Sequence, residues 1–197
     1  MKNFKQRSGF TLIELLVVIA IIAILAVVVV LTLNPAELLR QARDSNRVSD
    51  LATIKSAESL FEADVSTSSV NALGTPGWAF SATTTTGLTT TSTGGWAFAS
   101  ADVTSGVSST ASRVVTGQGW IPTNLSAISS GAPIGSWPVD PVNNASFTYV
   151  FVASGTVFKI DSMMESAKYK TGGPADVETG DGGNSIYVYE QGSNLAL

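Results

Sequence analysis

The chain has 197 residues, with 11 Lys or Arg, 15 Asp or Glu, no His and no Cys, and a net charge of −4. Without His, the commonest general base and metal ligand is gone, and neither a Ser/His/Asp nor a Cys/His catalytic set can form. Without Cys no disulfide can staple a domain, and an acidic chain lacks the basic face that nucleic acid requires.

The first nine residues are polar and carry Lys2, Lys5 and Arg7 with no acid. Residues 10–33 are almost wholly apolar, and Glu14 is their single ionisable side chain. As a helix this run is roughly 36 Å long, enough to cross a hydrocarbon core of about 30 Å. The basic flank keeps the N-terminus in the cytoplasm and sends the rest outward. A secretory signal peptide is excluded, because its shorter apolar region precedes a small-residue cleavage site and this one follows Gly9.

Glu14 does not suit a plain anchor. An acid at the centre of a membrane helix costs about 2.5–3.5 kcal/mol on insertion scales and needs a partner. Cutting between Gly9 and Phe10 creates one, an α-amino group four residues before Glu14 and at the positive end of the helix. Paired between neighbouring molecules, the two groups would also fix an axial offset.

Gly9-Phe10-Thr11-Leu12-Ile13-Glu14 after a short basic leader resembles the class III signal of type IV pilins and pseudopilins. The resemblance implies cleavage after Gly9 by a membrane prepilin peptidase and N-methylation of Phe10. It implies Glu14 as an assembly carboxylate, and a homo-oligomeric helical filament raised by ATP-driven assembly machinery. Removing the leader leaves eight basic against fifteen acidic residues, a net charge of −7. Many pilins close their C-terminal region with a disulfide, so this chain must hold that region differently.

Asn34-Pro35-Ala36-Glu37 reads as a helix start within a helix, with Pro at the first position and Glu three residues after the cap. A kink at Asn34 and Pro35 is expected, then an amphipathic helix over residues 35–65. Its apolar face is Leu38, Ala42, Val48, Leu51, Ala52, Ile54, Phe61 and Val65. Arg40, Arg43, Asp44, Arg47, Asp50, Lys55, Glu58 and Glu62 form a face expected to be mostly solvated. Arg40 to Arg47 are candidates for meeting lipid phosphates or acids of a neighbouring subunit.

Residues 66–112 are rich in Ser, Thr, Gly and Ala, with Thr tracts at 83–86 and 89–93 that are candidate glycan carriers. Gly77-Trp78-Ala79-Phe80 recurs as Gly95-Trp96-Ala97-Phe98, with a weaker echo at Gly119-Trp120. These aromatics are expected to fill a core, with sugar binding as the alternative. Residues 137–143 (Trp-Pro-Val-Asp-Pro-Val-Asn) read as an ordered turn, similar to an element common in pilins and pseudopilins. Residues 147–152 and 156–160 read as a hairpin and 185–190 as a third strand. In the loop over residues 172–184, Asp176, Glu178 and Asp181 are candidate calcium ligands. The resemblance supports that reading, because some major pseudopilins hold calcium in a C-terminal loop. The loop lacks the regular spacing of an EF-hand.

The expected fold is α+β. A leader (1–9) is removed, an apolar helix (10–34) continues into an amphipathic one (35–65), and the latter packs on a small antiparallel sheet in an outer domain (66–197). The expected function is structural, a pilus subunit. A pseudopilin of a secretion system is the close alternative. A singly anchored carbohydrate-binding module using Trp78, Trp96 or Trp120 is the alternative from another class. No enzyme is expected.

Overall fold

The computed structural model describes residues 9–65, 77–81, 107–144 and 146–197. By contact density the chain divides into two compact units, Met1–Leu39 and Arg40–Leu197. The Thr tracts, Trp96 and the second Trp-Ala-Phe repeat lie outside the described residues.

In the first unit, α1 spans Leu12–Leu33. Its run of Leu, Ile, Val and Ala has no polar face, so nothing selects one side of it for burial. The stretch Leu12–Val30 has a mean hydropathy of 3.4 and none of it is buried. The helix stops because Asn34 takes a left-handed conformation (φ 39°, ψ 75°), which Asn tolerates better than most residues. The Asn34 carbonyl then accepts the amides of Glu37 and Leu38 and so opens α2, Pro35–Asp64. Pro35 has no amide to lose at this first position. The expected interruption at Asn34 and Pro35 is therefore a complete break in the helical backbone.

In the second unit, five strands form one sheet: β1 (Gly77–Phe80), β2 (Val107–Ser109), β3 (Val150–Ser154), β4 (Val157–Ser162) and β5 (Tyr189–Gly192). The order is β2-β1-β3-β4-β5. β1, β3, β4 and β5 run antiparallel, as expected, while β2 joins β1 in parallel at the edge, which sequence reading missed. β3 and β4 turn through Gly155 at φ 63°, where glycine carries no steric penalty.

Period-2 alternation puts Ala79, Phe151, Ala153, Phe158 and Ile160 on one face. They pack with Leu51, Ile54, Ala57 and Phe61 of α2 and with Trp120, Leu125, Trp137 and Tyr149 from the intervening segments. The opposite face carries a smaller cluster of Phe80, Val150, Val152 and Val188. Trp120 is fully buried and its indole donates to the Pro138 carbonyl (2.9 Å), so it fills core and is not a surface sugar platform.

The buried stripe of α2 differs from the expected one. Leu38, Ala42 and Ala52 are exposed, whereas Asp44, Arg47 and Glu58 are buried. The stripe keeps its helical spacing, but its first turns are ionic. The reason lies in distant acids that meet Arg47 and Arg43.

Candidate functional site

The first turn of α1 is built by Thr11 and Glu14. Thr11 is the N-cap, and its hydroxyl accepts the Glu14 amide at 3.3 Å. Glu14 reaches back, so that one carboxylate oxygen accepts both the Thr11 amide and the Thr11 hydroxyl at 2.8 Å. This reciprocal capping box satisfies donors that a helix start otherwise leaves open. It also holds the only carboxylate of the apolar segment over the start of the helix, beside Phe10. The expected partner was the Phe10 amine; in the intact chain Thr11 fills that place. The signal that could have shown this is the Thr-x-x-Glu spacing itself.

Phe10 is 90 % exposed. A Cβ placed on Gly9 would meet nothing within 4 Å, and Gly9 has no left-handed φ. Among the described residues, nothing around position 9 demands glycine on steric grounds.

Asp176, Glu178 and Asp181 are not gathered into one coordination sphere. Asp176 accepts the amides of Gly172, Glu178 and Thr179 and the Thr179 hydroxyl. Those bonds, led by Thr179, hold its carboxyl below the usual range. Glu178 is buried and accepts the amides of Met164 and Thr171; burial pushes its carboxyl up. Asp181 accepts the amides of Gly183 and Glu190. Among the described residues no three such side chains group to hold a metal. Their visible work is to fix the C-terminal loop.

The same means secures the C-terminal region to α2. Arg47 is fully buried among Asp44 (2.8 Å), Asp140 (2.7 Å) and Glu165 (2.6 Å), with its guanidinium carbon 5.1 Å from the Phe147 ring. Arg43 pairs with Glu165 through Nε and Nη2 (2.8 and 2.6 Å). Asp44 also accepts the amides of Glu165 and Ser166. Asp140 accepts the amides of Val142 and Asn143, so the Trp-Pro-Val-Asp turn folds around the acid that meets Arg47. Arg43 and Arg47 are thus bound to acids of their own chain, and Arg47, fully buried, is not offered to lipid or a neighbour. Sequence reading missed this cluster because its partners lie 93 and about 120 residues apart, and helix periodicity carries no such information.

No curated protein and no solved structure matches the chain. The model of the prokaryotic N-terminal methylation motif matches residues 4–30. That stretch takes in Gly9, Phe10, the Thr11–Glu14 capping box and most of α1. The chain therefore carries the class III prepilin signal, the N-terminal methylation motif of type IV pilins and pseudopilins.

Proposed function

We infer that this chain is a structural subunit of a type IV pilus. Prepilin peptidase removes residues 1–9 after Gly9 and methylates the new amino group of Phe10. Until assembly the subunit sits in the cytoplasmic membrane through α1, with its N-terminus inside; after assembly it stands in an extracellular filament. The observation that carries this reading is Glu14, a lone carboxylate held at the start of a helix that is otherwise apolar on every side. Lipid tails are as apolar as Leu, so helix packing gives little net drive, and assembly machinery supplies the work of extraction. The Glu14 carboxylate, drawn from Thr11 to the Phe10 amine of a neighbouring copy, then sets the register of the filament.

The test is the intact mass of the chain in fibres sheared from the cell surface. A mass matching residues 10–197 plus one methyl group supports the pilus. A processed chain found only in the membrane fraction moves the reading to a pseudopilin. A chain still beginning at Met1 in cells with active peptidase overturns both.

A further inference from the structure

On the sheet face away from α2, Lys159 is nearly buried (5 % exposed). Its register partner is Val152, and it shares that face with Val150 and Phe80. Its Nζ lies 2.8 Å from Glu190 Oε1, 3.6 Å from Asp161 Oδ2 and 3.5 Å from the side-chain oxygen of Asn184. Asp161 and Glu190 stand directly opposite each other on β4 and β5, both buried. The other Asp161 oxygen has no hydrogen-bond partner among the described residues. The loop that presents Asn184 is fixed at both ends, because Asp181 accepts the Gly183 and Glu190 amides and Glu190 Oε2 accepts the Ser185 amide. Gly183 lets the loop lie close against Glu190, since a Cβ there would displace the Glu190 carboxylate.

A plain ion pair accounts for Lys159 and Glu190. It does not account for a second buried acid directly across the strand, where like charges repel, nor for a carboxamide brought to the same amine. A buried amine and buried carboxyl groups, with a carboxamide in reach at the mouth of the cluster, are the set that amide exchange needs. We propose that Lys159 and Asn184 become joined by an intramolecular amide between Nζ and the Asn184 side-chain carbon, formed by the folded chain itself.

The step balances within the cluster. Lys159 passes one ammonium proton to Glu190, and the freed Nζ pair attacks the Asn184 Cγ. Glu190 gives its proton to the departing amide nitrogen and takes a second hydrogen from Nζ. The Cγ–N bond breaks, ammonia leaves through the exposed side of Asn184, and Glu190 keeps the proton that began on Lys159. Burial pushes the Asp161 carboxyl up to about 7, with the Lys159 charge opposing and Glu190 adding, so a large share of Asp161 is protonated beside Glu190 at neutral pH. The product removes a buried cation and ties β4 to the loop before β5 in a chain that has no Cys.

The experiment is mass spectrometry of the full chain purified from membranes. The intact mass is expected to fall short by one ammonia, and a protease digest to yield a branched peptide joining Lys159 to Asn184. Lys159→Arg and Asn184→Ala, the latter at an exposed position, should each restore the full mass. A full mass with separate, linear peptides overturns the proposal. So does the same ammonia loss without a branched peptide, which marks a succinimide at Asn184-Ser185.

Discussion

Arg47 Nε lies 2.7 Å from Asp140 Oδ2, with both side chains fully buried and 93 positions apart in sequence. This bond joins α2 to the turn before β3. Through Glu165 and Asp44 the same guanidinium reaches the segment after β4. Arg47→Ala leaves three acids without their shared cation, and such loss costs about 3–5 kcal/mol. Arg47→Lys should recover little of it, because a point charge cannot serve three acceptors in fork geometry. Denaturant unfolding of the two variants measures this; a Lys variant as stable as the parent refutes the cluster's role.

Glu58 gives a pH dependence of defined sign. It is buried, with one oxygen accepting the Thr123 hydroxyl at 3.1 Å and the other without a hydrogen-bond partner among the described residues. Burial pushes its carboxyl up to about 8 from 4.5; Glu62 adds to this and Thr123 opposes it. The folded chain thus holds a proton that the unfolded chain releases. The stability it contributes is full below about pH 4.5 and is lost as pH rises through about 8, at up to about 1.4 kcal/mol per pH unit. Glu58→Gln should flatten the fall in melting temperature between pH 5 and 8 and be the more stable protein at pH 8. An unchanged slope would falsify the assignment.

Calcium should leave the outer domain unmoved. The oxygens of Asp176, Glu178 and Asp181 face amides, so neither added calcium nor a chelator is expected to shift thermal unfolding. Asp176→Ala, in contrast, removes the acceptor of four bonds and should expose the 172–179 loop to protease. A calcium-dependent rise in melting temperature would restore these three residues as ligands.

At the N-terminus, Glu14→Ala should leave membrane insertion intact and lower filament yield. Thr11→Val separates the two roles of Glu14. It removes the hydroxyl of the capping box while keeping the carboxylate, and assembly should persist. If Glu14→Ala yields fibres at the parental level, the register role is lost.

Much of this architecture was readable from sequence because its causes are local. The apolar run, the Thr-x-x-Glu start and the Asn-Pro break are decided within a few residues, and α1 and α2 end within two residues of the expected bounds. Strands were found but displaced. The first was read at 147–152 and lies at 150–154, because Tyr149 and Thr148 are spent on Ser81 and Asp50 at the entry to the sheet. The third was read at 185–190 and lies at 189–192, because Ser185 belongs to the loop anchored by Glu190. Asp44, Arg47 and Glu58 read as part of a mostly solvated face because charge in a helix usually means a wet face, with the 40–47 stretch a candidate for lipid phosphates or a neighbouring subunit. Only Asp140, Glu165 and Thr123, far along the chain, make their burial affordable.

A closure made of carboxylates and guanidinium groups also differs in kind from one made of sulfur. It has no oxidised and reduced forms, so neither the redox poise of the compartment nor a thiol-handling enzyme bears on whether Asp44, Arg47, Asp140 and Glu165 find one another. This ionic closure forms with folding itself, and a subunit diluted out of denaturant under reducing conditions should regain it.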